Sequence, residues 1–251
     1  YILGIARDVT EREKMFNELE AKNEELTSFA YRTSHDLKGP LTTIKRLANY
    51  IEQDIKAGNS DEAITNIARV KQQSIHLTNL ITDILDLAKS NQKDYKNTSF
   101  NVIELINRIT SKHEALIQDN QVEINIVCKD SQKMFSEELR IEQILENLIT
   151  NGVKYANANN KYININFNES RDKYSFTVKD NGIGIPEGTG ENIYKLFTRY
   201  DQNSDGSGIG MTIVKRNIDS LSGEIKYESS NFGTIFTITI PKQDNEKDLD
   251  E

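Results

Sequence analysis

The chain has 251 residues, enough for two modest domains, and its 36% hydrophobic and 28% charged residues are in the range of soluble proteins. Its 31 Lys and Arg against 39 Asp and Glu leave a formal charge of −8, which argues against a nucleic-acid partner, because neutralising phosphates needs clustered cations. No apolar run approaches the ~18–20 residues that cross a bilayer, so no membrane segment is expected.

The chain opens on Tyr1 with no Met, basic n-region or apolar h-region. No secretory signal is therefore expected, and the sequence reads as a piece whose upstream domains, with any membrane anchor, lie outside it. Residues 1–9 (YILGIARDV) predict a short strand. From Phe16 onward apolar residues recur at three and four, through Leu19, Leu26, Leu37, Leu41, Ile44, Leu47, Ile51 and Ile55, which predicts a long bundle-forming helix. Ala57-Gly58-Asn59-Ser60 ends it, with Gly as C-cap and Ser60 as the next N-cap. A second helix places Ile64, Ile67, Val70, Leu77, Ile81, Ile84 and Ala88 inward. The apolar faces exceed what one hairpin can cover, so a homodimer closing a four-helix bundle is expected.

Residues 89–99 (KSNQKDYKNTS) are polar and mark a boundary. Beyond them the pattern becomes mixed: a helix at about 101–118, a strand at Val122 to Ile126, a helix at about 137–157, strands at Ile163 to Phe167 and Tyr174 to Val178, a helix at 209–222 and strands at 224–229 and 234–240. The charged tail from Lys242 reads as disordered. The single cysteine, Cys128, forms no intrachain disulfide, fits a reducing cytosol and reads as a small core residue.

His35 lies in Ser34-His35-Asp36-Leu37-Lys38-Gly39-Pro40-Leu41. With Thr33 and Leu37 on the seam, a 100° step per residue points His35 away from it, into solvent. Asp36 is close enough to fix the ring tautomer and leave the other nitrogen as nucleophile. Pro40 inside the helix predicts a bend. His113 falls on an apolar stripe and reads as packed, and His76 reads as surface. Downstream, Asn147, Asn151 and Lys154 share one stripe flanking an apolar helical face, with Arg140 extending it by two turns. Such a stripe is either a solvated edge or a set of groups for Mg²⁺ and phosphate oxygens. Asp180-Asn181-Gly182-Ile183-Gly184 follows a strand, and its carboxylate suits an amino group such as that of adenine. Leu196-Phe197-Thr198-Arg199-Tyr200 suggests a mobile lid. Gly206-Ser207-Gly208-Ile209-Gly210 opens a helix, where backbone N–H groups and the helix dipole favour an anion.

In this order the motifs resemble those of sensor histidine kinases of two-component systems, over nearly the whole chain. His35 to Pro40 resembles the H-box, Asn147 to Tyr155 the N-box, Asp180 to Gly184 the G1-box, Phe197 the F-box and Gly206 to Gly210 the G2-box. The resemblance implies a helical hairpin forming a dimeric four-helix bundle, followed by an α/β two-layer sandwich of the Bergerat ATP-binding type. It implies His35 as phosphoacceptor with Asp36 as helper, and Asn151 as Mg²⁺ ligand. Asn147, Lys154 and Arg199 would lie near the phosphates, Asp180 and Tyr155 at adenine, with Gly182, Gly184, Phe197, Gly206, Gly208 and Gly210 completing the ATP pocket. The activity implied is ATP-dependent autophosphorylation and transfer to an Asp of a response-regulator receiver domain, in the cytoplasm. The domains implied are the end of a PAS-like sensor (1–11), a signalling helix (12–25), a phosphotransfer and dimerisation domain (26–92), a catalytic domain (97–242) and a tail (243–251). Gly39 stands where many members carry a Thr or Asn linked to phosphatase action, so weak or no phosphatase activity is expected. The lid between Arg199 and Gly206 is short, which suggests looser closure over ATP. The rival enzyme is a gyrase-like ATPase, whose Glu base is replaced here by Asn147, and the rival non-enzyme is a nucleotide-binding scaffold.

Overall fold

The structure, a computed structural model, describes residues 10–90, 95–129, 132–157, 159–198 and 207–242. The strand expected at 1–9 and the tail at 243–251 lie outside them. The chain divides into two compact units on either side of Leu80 and Ile81.

The first unit is the helical hairpin formed by α1 and α2 as far as Leu80; the last ten residues of α2 count with the second unit. Helix α1 (Thr10–Ala57) runs without a break through Pro40. Its end follows from backbone geometry: Gly58 takes a φ of 77°, its N–H reaches the Ile55 carbonyl at 3.2 Å, and Asn59 N–H reaches that of Asp54 at 2.8 Å. This pair of bonds satisfies two orphan carbonyls and turns the chain into α2 (Ser60–Ser90). Asn66 Nδ2 donates to Asp54 Oδ2 at 3.0 Å, fastening the two helices beside the turn.

Within this unit Pro40 and Leu47 on α1, and Ala63 and Leu80 on α2, are buried, with Val70 and Leu77 half-buried between them. This seam departs from the expected one. Ile64, Ile67, Ile81 and Ala88 were expected inward and are exposed, as are Leu41 and Ile55. The physical reason is width: a hairpin seam with a near-3.5-residue period takes two positions per heptad, and the apolar stripe on α2 is wider than that. Its outer edge, Ile64, Ile67, Ile75, Ile81 and Leu85, is 45–63% exposed.

The second unit is a two-layer α/β sandwich. Its sheet has the order β2-β4-β5-β7-β6, from β2 (Val122–Val127), β4 (Lys161–Glu169), β5 (Lys173–Asp180), β6 (Glu224–Ser230) and β7 (Gly233–Pro241). Only β2 and β4 are parallel. Register aligns apolar side chains across strands: Ile165 opposes Val178, which opposes Phe236, which opposes Tyr227. One step along, Phe167 opposes Phe176 with ring centroids 4.8 Å apart, and Phe176 opposes Ile238. Helices α3 (Val102–Lys112), α5 (Glu138–Lys154) and α6 (Gly210–Ser220) contribute Leu105, Ile106, Ile109, Ile141, Leu145, Leu148, Ile149 and Ile218 to the same core.

Three local details differ from expectation. The helix expected at 101–118 breaks at His113 into α3 and α4 (Glu114–Asp119). The break frees the His113 ring to place Nε2 2.6 Å from Glu146 Oε1. Asn101 caps α3, its Oδ1 accepting from Ile103 N at 2.9 Å, so the helix starts one residue later than its cap. A further ribbon pairs β1 (Thr98–Asn101) with β3 (Lys133–Ser136), and Tyr174 OH accepts from Phe135 N at 3.3 Å to hold it against the sheet. Cys128 follows β2 and is half-buried against the core, as expected of a small packing residue.

Glu146 joins α5 to α3. Burial is the largest influence on its carboxyl and pushes it up, but bonds from His113 and from Lys112 at 2.7 Å outweigh it and hold Glu146 below its ordinary 4.5. A carboxylate depressed in the folded state contributes stability that is present above its unfolded pKa and lost as pH falls through the folded one. Urea titrations are expected to show wild type more stable than Glu146→Gln at neutral pH, with the gap closing as pH drops below about 4.5.

Candidate functional site

Two sets of candidate groups stand out, one in each unit. In the hairpin, His35 has a side chain 77% exposed, and its Nδ1 lies 3.1 Å from Asp36 Oδ1. Thr33 and Leu37 are half-buried on either side of it, so the outward orientation expected from helical spacing is present. Gly39 is exposed with open space where a side chain would go, so packing does not require glycine there.

In the sandwich, the site is built where α5 ends and α6 begins. Ile141, Ile144, Leu145 and Leu148 anchor α5 in the core and turn the adjacent stripe outward. Asn147 and Asn151 on that stripe are half-buried and Lys154 is exposed. Asn147 Nδ2 donates to Gln143 O at 2.8 Å, and Asn151 Nδ2 reaches Met211 Sδ at 3.5 Å; both bonds use the amide nitrogen and leave the oxygens to other partners. Tyr155 closes the helix, and its carbonyl accepts from Ile183 N at 3.1 Å.

That bond joins α5 to the loop after β5. Asp180 Oδ1 accepts from Gly182 N at 2.9 Å and from Thr234 N at 3.2 Å. Two backbone donors thus fix one carboxylate oxygen, and Oδ2 takes neither bond. Burial raises the Asp180 pKa above the usual carboxylate value, and the backbone amides of Gly182, Thr234 and Asp180 itself pull against it without reversing it. Gly184 has a φ of 74°, and a Cβ there would overlap the Ser230 carbonyl oxygen. This glycine therefore lets the loop close on β6, where sequence reasoning assigned it an approach to ligand.

The start of α6 is equally tight. Phe197 holds a φ of 61°, unusual for a bulky residue, and its N–H reaches the Gly208 carbonyl at 2.9 Å. A Cβ on Gly210 would stand 2.5 Å from Asn147 Oδ1. The first turn of α6 thus lies directly against the stripe of α5. The structure brings together Asn147, Asn151, Tyr155, Asp180, Gly182, Gly184, Phe197, Gly208 and Gly210 around this junction. Arg199 and Gly206 lie outside the described residues.

Arg140 does not continue the stripe toward a ligand. It is 4% exposed, ion-paired to Glu137, and donates through Nη1 to Asn217 Oδ1 at 2.9 Å. Sequence reasoning also passed over Thr234, whose role is a backbone N–H that no side-chain pattern signals. It passed over Asp83 as well. That carboxyl near the end of α2 is raised by burial, while a hydrogen bond with Ser207 and the charge of Lys154 act to lower it. An acid on the polar side of a long helix carries no sequence signal of its own.

Residues 25–93 match the His Kinase A (phospho-acceptor) domain, and residues 136–244 match the Histidine kinase-, DNA gyrase B-, and HSP90-like ATPase domain. The chain belongs to the sensor histidine kinases of two-component systems. Curated relatives include the methanogenesis regulatory histidine kinase FilI of Methanothrix harundinacea, 27% identical over 94% of this chain and 27% of the relative. They also include cyanobacterial phytochrome B of Nostoc, 32% identical over 95% and 32%, and sensor histidine kinase WalK of Bacillus subtilis, 29% identical over 100% and 41%. The chain thus spans well under half the length of these relatives. Among solved structures, the catalytic domain of histidine kinase ThkA is 27% identical, with a TM-score of 0.53 over 59% of this chain and 96% of that one. ThkA in complex with the response regulator protein TrrA is 24% identical, with a TM-score of 0.70 over 94% and 68%, a likeness of fold. None of the described helices is long and apolar enough to cross a membrane.

The two glycines separate stability from ligand binding. Gly184→Ala is expected to lower unfolding stability by more than about 1 kcal/mol, because the clash is with backbone at positive φ. Gly210→Ala meets only the end of a side chain, so it should fold like wild type yet bind ATP more weakly as Asn147 is displaced. Urea titration and nucleotide titration of both variants check this.

Proposed function

We propose that this chain is an ATP-dependent protein-histidine autokinase that phosphorylates His35 and passes the phosphoryl group to an Asp of a response-regulator receiver domain. The observation that carries the reading is the His35–Asp36 pair: an exposed imidazole, its Nδ1 beside a carboxylate, in a chain that also carries an ATPase-type module. Nδ1–H donates to Asp36 Oδ1, which places the lone pair on Nε2. Nε2 attacks the γ-phosphorus of ATP in line, the bond to the bridging β–γ oxygen breaks, and ADP leaves with that electron pair. Asp36 then takes the Nδ1 proton, so the product is a neutral imidazole ring bearing the phosphoryl group.

Within the pocket Asp180 Oδ2 accepts from the adenine amino group, and Tyr155 lines the base. Lys154, Arg199 and the amides from Gly206 to Gly210 offset phosphate charge, with Asn147 beside them. The Asn151 side chain fits Mg²⁺, since its amide nitrogen faces Met211 and its oxygen is a hard donor of the kind that ion prefers. When bound, Mg²⁺ would neutralise charge on the phosphate oxygens.

Hydrolysis in the gyrase manner has less support. Asn147 occupies the position of the base, and the neighbouring Glu146 is held by His113 and Lys112 at the α3–α4 corner. The receiver partner is supported by the hairpin fold shared with ThkA, and Gly39, which offers no polar side chain, is read as leaving phosphatase action weak. Residues 1–11 read as the exit of a PAS-like sensor, and the setting as cytoplasmic.

The homodimer is supported by the exposed outer edge of α2. Ile64, Ile67, Ile75, Ile81 and Leu85 line one helical face. Leu85→Arg is expected to convert the protein from dimer to monomer in sedimentation, without loss of helical signal. For the reaction itself, incubation with γ-labelled ATP and Mg²⁺ should yield an acid-labile, alkali-stable label on the protein. His35→Gln should carry none; undiminished label on that variant contradicts the proposal, and free phosphate without label favours the ATPase.

A further inference from the structure

Helices α5 and α6 touch at two levels. Gly210 lies against Asn147, and Asn217 lies against Arg140 and Gln143. Going from Gly210 to Asn217 advances α6 by seven residues, while going from Asn147 to Arg140 moves back along α5 by the same number. Seven residues are about two turns, or roughly 10.5 Å, so the helices run antiparallel with matched contacts at both ends.

The lower contact is polar and enclosed. Asn217 is 0% exposed; its Oδ1 accepts from Arg140 Nη1 and its Nδ2 donates to Gln143 Oε1, each at 2.9 Å. Arg140 is neutralised by Glu137, and the ring of Tyr95 covers its guanidinium, 4.7 Å from Cζ to centroid. Ile144 and Val214, which lie between the two levels, and Ile218 are buried, and apolar side chains by themselves permit sliding. A buried amide with two directional partners does not slide, because a shift of one residue leaves polar groups unpaired.

We propose that Arg140, Gln143 and Asn217 form a clamp that sets the register of α6 on α5, and that Tyr95 extends its hold to the segment arriving from the hairpin. All four are positioning residues. They act two turns away from Gly208 and Gly210, on the amides that would face phosphate. The inference rests on the nucleotide-binding reading above and adds residues to it that neither the motifs nor the pocket include.

The test compares variants at a temperature where circular dichroism shows them folded. Asn217→Leu should raise the Kd for a fluorescent ATP analogue about tenfold, the equivalent of one buried hydrogen bond. KM for autophosphorylation should rise with it while kcat stays near wild type. Amide hydrogen exchange at residues 208–211 should quicken in the absence of nucleotide, which a general loss of stability would not confine to that turn. If Asn217→Leu does not fold, the triple variant Arg140→Met, Gln143→Leu, Asn217→Leu removes the polar set together and is read the same way. Tyr95→Phe keeps the ring over the guanidinium and should bind more tightly than Tyr95→Leu. Wild-type Kd and wild-type exchange in a folded Asn217 variant overturn the clamp, and equal binding by Tyr95→Phe and Tyr95→Leu overturns the extension to the linker. Failure of wild type to bind the analogue would instead refute the nucleotide reading, and hydrogen exchange would still decide the clamp.

Discussion

Helix α5 is held on both sides at once, and that constraint organises the catalytic unit. One face supplies Ile141, Ile144, Leu145, Leu148 and Ile149 to the core beneath it. The adjacent stripe meets the first turn of α6 at Asn147, while its C-terminal carbonyl at Tyr155 ties down the loop that carries Asp180. On the remaining side Glu146 binds Lys112 and His113 of the α3–α4 corner. A helix gripped this way cannot rotate without breaking the core or unpairing charges. Asn147 and Asn151, the ligand groups proposed on it, therefore keep their relative positions, which is what pre-organised electrostatic stabilisation requires.

The Asp180 loop shows how such rigidity is obtained in a loop. Its carboxylate is fixed by Gly182 N–H and Thr234 N–H, and Ser229 Oγ accepts from Ile185 N at 2.7 Å while contacting Thr234 Oγ1 at 3.0 Å. These bonds cross from β5 to the β6–β7 turn, so the aspartate is positioned by two parts of the chain far apart in sequence. Partial burial then makes Asp180 a weaker acid, and a carboxylate desolvated in this way gains more from a hydrogen-bond donor than one in water does.

Much of this was legible in the sequence because it rests on periodicity and on motif order. The exposure of His35 follows from the positions of Thr33 and Leu37 two residues to either side. The hairpin follows from the heptads and from Gly58, and the alternating strands follow from Ile163 to Phe167 and Tyr174 to Val178. What escaped rests on contacts between distant segments. The β1–β3 ribbon is four residues long on each side and half hidden in a polar boundary, so alternation had no length in which to appear. The break at His113 carries no Gly or Pro; it coincides with the contact to Glu146, thirty-three residues away. Arg140 has the same helical phase as Asn147, and only the fold shows one end of the stripe buried against Asn217 and the other open. The inner edge of the α2 stripe likewise needed the structure, since sequence shows its width and not which edge α1 covers.

The two sets of groups meet in a single chemical claim, that phosphoryl transfer ends on one ring nitrogen of one histidine. Phosphopeptide mapping by mass spectrometry under alkaline conditions, with phosphorus NMR of the labelled protein, measures this directly. The account predicts one phosphoryl group per chain, on Nε2 of His35, because Nδ1 is engaged by Asp36. Phosphate found on Nδ1, on His76 or His113, or on a hydroxyl would contradict it.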